Sequence, residues 1–217
     1  MGPFNVCSLD PGVRTFQTVY SPDGSSYKIG HEDAGRLIRM NRHLSNLQSK
    51  INCCKKFKSK RKVRKLFKYR KAYFRLSSKI RNMVDELHKK TIAFLVSRFN
   101  TIIIPDTNII KMVSRKFRNI SKGTVKSMLT YSHYRFRERL LMKSKICNNL
   151  KVHVIGEEYT TKTCGRCGIL NDKIGSKKEF KCNSCKIHLD RDLNGARNIF
   201  IKYITERAVF NEDGVAS

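Results

Sequence analysis

Two Cys-x-x-Cys pairs, Cys164/Cys167 and Cys182/Cys185, stand fourteen residues apart in a chain of 217 residues. Four thiolates at this spacing suit a single tetrahedral Zn²⁺, with each pair on one tight knuckle and a short hairpin between the knuckles. Four sulfur ligands leave no place for water, so such an ion is structural. Carboxylates flank this knot: Glu157 and Glu158 before it, Asp190 and Asp192 after it. Two more, Asp10 and Asp106, fall at the ends of predicted strands. Oxygen ligands of this kind hold Mg²⁺ while leaving positions for water and phosphate, and a pair of such ions can drive phosphodiester hydrolysis. The chain has only 17 acidic residues, so six at element ends is a pattern with two explanations. They converge on metal, or they pair with nearby Lys and Arg. Asp10 by itself carries little weight, because Asp-Pro-Gly is a common start to a turn.

The elements that must position these groups follow from the local pattern. Residues 5–9, 15–20 and 26–29 are short, β-prone runs separated by Asp-Pro-Gly and Ser-Pro-Asp-Gly turns, which predicts a meander of three antiparallel strands with Asp10 ending the first. Residues 36–52 and 58–99 read as helices. Val84, Leu87, Thr91, Leu95 and Phe99 form a clean stripe on the second, and His88 beside them reads as a structural residue. The continuous apolar run at 100–106 predicts a central strand covered on both faces and ending at Asp106. A polar loop at 107–124 and one long helix at 124–149 follow. A strand at 151–155 then delivers the chain to Glu157. After the cysteines, residues 192–203 read as a helix with Asp192 at its start, where the dipole favours an acid, and the last dozen residues as a frayed tail.

Composition narrows the partners. Lys and Arg number 46, giving a net charge of +29, a surplus that calls for a polyanion such as nucleic acid. No acidic residue occurs between Arg36 and Asn82. The segment 53–75 interleaves Lys and Arg with Phe57, Phe67, Tyr69, Tyr73 and Phe74. Its Leu66, Tyr69, Tyr73, Leu76 and Ile80 share helical spacing, so the aromatics are expected on the core and the charges on a face that tracks phosphates. Arg135, Arg137 and Arg139 are expected to extend that basic surface. No apolar run is long enough for a membrane span, and no secretory signal is visible. Paired Cys-x-x-Cys spacing without such a signal favours a reducing, intracellular setting, nucleus or cytoplasm, over disulfides. Cys7, Cys53, Cys54 and Cys147 read as ordinary thiols.

The segments LDPGVRTF, EEYTTKTCGRCG and CNSCKIHLDRDLNGARNI resemble the C-terminal half of the transposon-encoded TnpB (OrfB zinc-ribbon) proteins, and most of all their eukaryotic and viral relatives, the Fanzor proteins. The resemblance runs over nearly the whole chain. It implies an RNA-guided, Mg²⁺-dependent DNA endonuclease with an α/β, RNase H-like (RuvC-like) mixed sheet, a helical insertion and an inserted zinc ribbon. The implied organisation is a first RuvC-like part at 1–160 with the basic helical insertion at about 36–99, the ribbon at 161–187, the final helix at 188–205 and a tail at 206–217. Asp10 takes the place of the family's first catalytic acid and Asp192 that of the third, with Asp190 its neighbour. Many TnpB proteins carry the second acid after the buried strand, but here IIIPDTN puts Pro105 in that position and leaves Asp106 next to it. The Fanzor-like alternative places the second acid on Glu157, with Glu158 next. Family members also have a long N-terminal region that grips guide RNA and target DNA, whereas nine residues precede Asp10. The expected partners are therefore DNA and, with that further region, a guide RNA. Two other readings stay open: a catalytically decayed, nucleic-acid-binding transposon remnant, and a zinc-ribbon adaptor for transcription machinery.

Overall fold

The structure is a computed structural model that describes residues 5–55, 59–107, 114, 121–156, 158, 160–171 and 178–212. Five strands form one mixed sheet: β1 (Val6–Pro11), β2 (Gln17–Tyr20), β3 (Ser26–Ile29), β4 (Thr101–Pro105) and β5 (Lys151–Ile155), in the order β3-β2-β1-β4-β5. The first three form the expected antiparallel meander. Strands β4 and β5 run parallel to β1, with Ser8 opposite Ile103 and Pro105 opposite Ile155. Parallel neighbours need crossovers, and helices supply them. Helices α1 (His31–Lys55) and α2 (Lys60–Arg98) separate β3 from β4, and α3 (Lys122–Tyr131) and α4 (His133–Ile146) lie between β4 and β5. After the cysteine segment, which carries the two-stranded ribbon β6 (Glu179–Lys181) and β7 (His188–Asp190), the chain ends in α5 (Arg191–Glu212).

The two-residue period of β1 divides its side chains between two layers. Cys7 and Leu9 enter the larger core with Phe16, Val84, Leu95, Ile102, Phe136 and Leu140. Val6 and, through its hydroxyl, Ser8 face the opposite layer, where Ile103, Ile155, Ile199 and Tyr203 pack the sheet against α5. The all-buried β4 fits a central strand with cover on both sides.

Several boundaries differ from those expected. The single helix at 124–149 is two helices, because Ser132 adopts the left-handed conformation (φ 51°) and redirects the chain. Helix α1 begins at His31, where Glu32 and Asp33 favour the first turn. Helix α5 does not stop near 203 but continues to Glu212. The basic run and the amphipathic stripe belong to one helix, α2, about 58 Å long at 1.5 Å per residue. Its buried residues start only at Ile80, so most of its first half leans on α1 rather than on the sheet, while the start of α1 enters the larger core through Leu37. The polar loop expected at 107–124 lies largely outside the described residues, as does Phe57.

Candidate metal centres on the last helix

Asp10 lies on the same face of β1 as Ser8, and its carboxylate rests on the backbone of α5. A Cβ built on Gly195 would come within 2.8 Å of Asp10 Oδ2, so glycine leaves the carboxylate room to lie in this position. Asp192 is one turn earlier on the same helix, and residues three apart on a helix have Cβ atoms roughly 5–6 Å apart. The structure thus sets the Asp10 carboxylate against Gly195, three residues along α5 from Asp192. Ser8 secures the approach from below, its buried hydroxyl donating to the Ala196 carbonyl at 2.7 Å. The donor set here is oxygen only, and Asp192 has a loose ion pair with Arg191 at 3.8 Å. Such a set fits a hard divalent cation.

The other acids are placed differently. Asp190 caps α5: its Oδ1 accepts from the backbone N–H of Asp192 at 3.0 Å and of Leu193 at 3.2 Å. Its Oδ2 meets Lys28 Nζ at 2.6 Å. Partial burial opposes ionisation of Asp190, but the Lys28 and helix N–H hydrogen bonds prevail and hold it below the usual carboxylate range. Asp106, just past β4, is exposed and ion-paired with Arg137. Glu158 is bound to Lys202 Nζ at 2.7 Å, which holds its carboxyl below the usual range. Glu157 lies outside the described residues; β5, which leads to it, ends at Ile155, beside the end of β4.

The four cysteine sulfurs lie within 4.8 Å of one another, the one such cluster of His, Cys, Asp or Glu among the described residues. Cys164 and Cys185 are 3.6 Å apart, as are Cys167 and Cys182. A tetrahedral ion with Zn–S bonds of about 2.3 Å needs sulfurs roughly 3.8 Å apart, so the set fits zinc. The N–H of Cys185, above all, favours the thiolate of Cys182, while at Cys185 the Ile187 N–H is outweighed by burial and the neighbouring thiols, which push the thiol up, as expected where close sulfurs share protons. Behind the sulfurs, Phe180 is fully buried.

The cysteine knot is clasped to α5 by two asparagines one turn apart. Gly165 N–H donates to Asn194 Oδ1 at 3.0 Å, and Asn194 Nδ2 donates to the Thr163 carbonyl at 2.8 Å. Asn198 Nδ2 reaches the Thr160 and Thr163 carbonyls at 2.7 and 2.6 Å. A Cβ at Gly165 would meet Asn198 Oδ1 at 2.9 Å, so this contact too requires glycine.

On the other side of β1, two buried histidines hold the turn that follows Asp10. His133 Nε2 donates to the Gly12 carbonyl at 3.1 Å, and its Nδ1 faces the Gln17 amide at 3.5 Å. His88 Nε2 donates to the Tyr131 carbonyl at 2.8 Å, and its Nδ1 accepts from Arg139 at 3.1 Å. Both rings stack on a shared partner, Phe16, at 5.1 and 5.2 Å. Burial, the largest cause, pushes both histidines down to about 4, so they are neutral near pH 7. The structural role expected of His88 agrees with this environment.

Two expectations about the basic surface need correcting. Arg135 and Arg139 both pair with Asp85, at 2.8 and 2.9 Å, and Arg137 pairs with Asp106, so this trio ties α4 to its neighbours rather than extending a free basic face. Scarce acids in a cationic chain draw the arginines nearest to them. The aromatics of α2 also divide. Tyr69 and Tyr73 are half-buried, with Lys50 over the Tyr69 ring, but Phe67 and Phe74 point to solvent.

Sequence reading found Asp10, Asp192 and the cysteines but passed over Gly195, Asn194, Asn198, Ser8, Lys28 and His133. The available signal was the run of polar and small residues in Asn194-Gly195-Ala196-Arg197-Asn198, odd for a buried helix face unless each meets a specific partner.

The molecule is therefore a mixed α/β protein whose last helix contacts both a four-cysteine knot and the Asp10 carboxylate. The family described as Cas12f1-like, TNB domain, matches residues 133–199. Protein R186 of Acanthamoeba polyphaga mimivirus, named as a candidate transposase, is 35% identical over 205 residues, 94% of this chain and 41% of its own. TnpB-like protein L79 of the same virus is 31% identical over 196 residues, 90% of this chain and 36% of its own. Cas12f1, solved in complex with sgRNA and target DNA, shares the fold with a TM-score of 0.56 at 17% identity, over 89% of this chain and 48% of that one. The chain thus spans well under half the length of these curated relatives, and it belongs to the TnpB family.

Proposed function

We propose that this chain is the RNase H-like (RuvC-like) catalytic portion of an RNA-guided DNA endonuclease, with the zinc ribbon at 161–187 inserted before its final helix. The observation that carries this reading is the packing of the Asp10 carboxylate on Gly195, one turn from Asp192. The order β3-β2-β1-β4-β5, with three antiparallel strands followed by two parallel ones, fits an RNase H-like sheet. Asp10 and Asp192, with Glu157 as third ligand, would hold Mg²⁺. When bound, the ion supplies charge neutralisation at the scissile phosphate and an activated water. The chain's own part is to keep two carboxylates rigidly spaced, one on a central strand and one at a helix start. Lys28 keeps Asp190 engaged, so Asp190 caps the helix and leaves Asp192 to the metal. The basic helices supply phosphate contacts, and binding falls steeply with salt. Support for guidance by RNA comes from the family and from the sgRNA and target DNA held by Cas12f1.

The test is cleavage of single-stranded DNA by the zinc-loaded chain with Mg²⁺. Asp10→Ala and Asp192→Ala should each lower the rate by at least about a hundredfold, as loss of a positioned catalytic group does. Asp190→Asn, which keeps an oxygen for the cap, should stay within a few-fold of the parent. Cleavage by Asp10→Ala at the parental rate would refute the assignment. Salt-sensitive binding without Mg²⁺-dependent cleavage by the parent would favour the decayed remnant instead.

A further inference from the structure

The projecting half of α2 carries a stripe that neither the core nor the carboxylate site uses. Val63, Phe67, Arg70 and Phe74, spaced by four, three and four residues, share one face of the helix. Phe67 is 70% and Phe74 67% exposed, while Leu66, Tyr69, Tyr73 and Leu76, on the face toward α1, are half-buried. The two Phe residues are two turns apart, about 10.5 Å along the axis. Beside Phe74, a groove of about 940 Å³ between α1 and α2 is lined by four cations, Arg36, Arg75, Lys79 and Lys90, against two acids, Asp33 and Glu86. Two exposed rings cost solvation that a merely soluble basic helix would avoid.

We infer that this stripe is a stacking platform for the unpaired bases of single-stranded nucleic acid, with the flanking Lys and Arg on its phosphates. The occupant must be anionic, since the stretch from Arg36 to Asn82 contains no acid, and it must offer flat apolar faces. Unpaired bases combine both properties. A duplex hides its base faces and would meet only the charges. A lipid surface would need a broader apolar face than one interrupted by Arg70 and bordered by cations. The inference rests on the nucleic-acid reading above and sharpens it, because it assigns this helix to a strand that is not base-paired.

The experiment uses the zinc-loaded full chain carrying Asp10→Ala, without Mg²⁺, and fluorescence anisotropy on labelled oligothymidylate and on a duplex. Phe67→Leu/Phe74→Leu retains apolar bulk and helix propensity but removes both rings. It should weaken oligothymidylate binding by roughly tenfold or more, since stacking contributes ~1–3 kcal/mol per base. Duplex affinity and the salt slope should be unchanged, and Phe67→Tyr/Phe74→Tyr should restore the parental value. The inference is overturned if the leucine variant binds oligothymidylate like the parent or loses duplex equally. It is also overturned if the only loss is to phosphatidylserine vesicles. If the parent binds neither nucleic acid, the broader reading fails instead.

Discussion

Gly195→Ala separates catalysis from stability more cleanly than removal of a carboxylate. In the interior of an exposed helix, alanine in place of glycine stabilises by up to about 1 kcal/mol. Here the added methyl would stand 2.8 Å from Asp10 Oδ2 and 3.3 Å from its Cγ, against an ordinary contact of 3.4 Å or more. The obstructing atoms are the carboxylate group of Asp10, not backbone, so the carboxylate must turn aside if β1 and α5 are to remain in place. A displacement of roughly 0.6 Å or more follows, and misplacement of a reacting group by about 1 Å can cost a hundredfold in rate. The expected outcome has two parts. Urea unfolding should give a stability equal to the parent or up to ~1 kcal/mol higher. Mg²⁺-dependent cleavage should fall by about a hundredfold, with more Mg²⁺ needed for half-maximal rate. A folded Gly195→Ala protein that cleaves like the parent would show that the Asp10 contact with α5 does not set the site. A large loss of stability would show that Asp10 cannot yield, which would also refute the reasoning.

The buried histidines make the fold sensitive to acid. Both have native values near 4, below the ordinary 6.5, so the neutral form is favoured in the fold; their contribution is complete above pH 6.5 and is lost as pH falls toward 4. Between those limits each costs ~1.4 kcal/mol per pH unit, or about 2 kcal/mol from pH 7 to 5 and about 4 for the pair. Urea midpoints should drop accordingly, and His88→Gln/His133→Gln should flatten the slope by about two protons; an unchanged slope would refute the assignment. Zinc should bind at one ion per chain by elemental analysis, and Cys182→Ser should lose it. Because Asn194 and Asn198 clasp the cysteine knot, hydrogen exchange in the first turns of α5 should speed up in that variant while β4 stays protected; no change at α5 would separate the ribbon from the site.

The parts legible in sequence were those with a short-range signature. Cys-x-x-Cys spacing identified the knot, alternating strands and turn residues gave the meander, and an all-apolar run marked β4 as central. What escaped were consequences of long-range contact. Ser132 has no breaker signal, yet its left-handed backbone splits a helix that periodicity reads as continuous. Phe67 and Phe74 look like core residues in composition, and only the orientation of α1 decides that Tyr69 and Tyr73 are buried instead. Asp190 and Asp192 are indistinguishable by type and neighbourhood. Lys28, far away in sequence on β3, separates them by occupying one Asp190 oxygen while the helix start takes the other.

That division of labour places a separate demand on almost every residue from Asp192 to Asn198. Asp192 must reach the carboxylate site, Asn194 and Asn198 must reach the knot, Gly195 must admit Asp10, and the Ala196 carbonyl must receive Ser8. These demands alternate around the helix within two turns. A rotation or slide of α5 that improved one contact would therefore break another. A zinc ion on the four cysteines would stabilise that segment, the asparagines would pass the constraint to α5, and Ser8 would pass it to β1. The contact of Asp10 with α5 is thus tied to the cysteine knot through one helix, with no side chain shared between them.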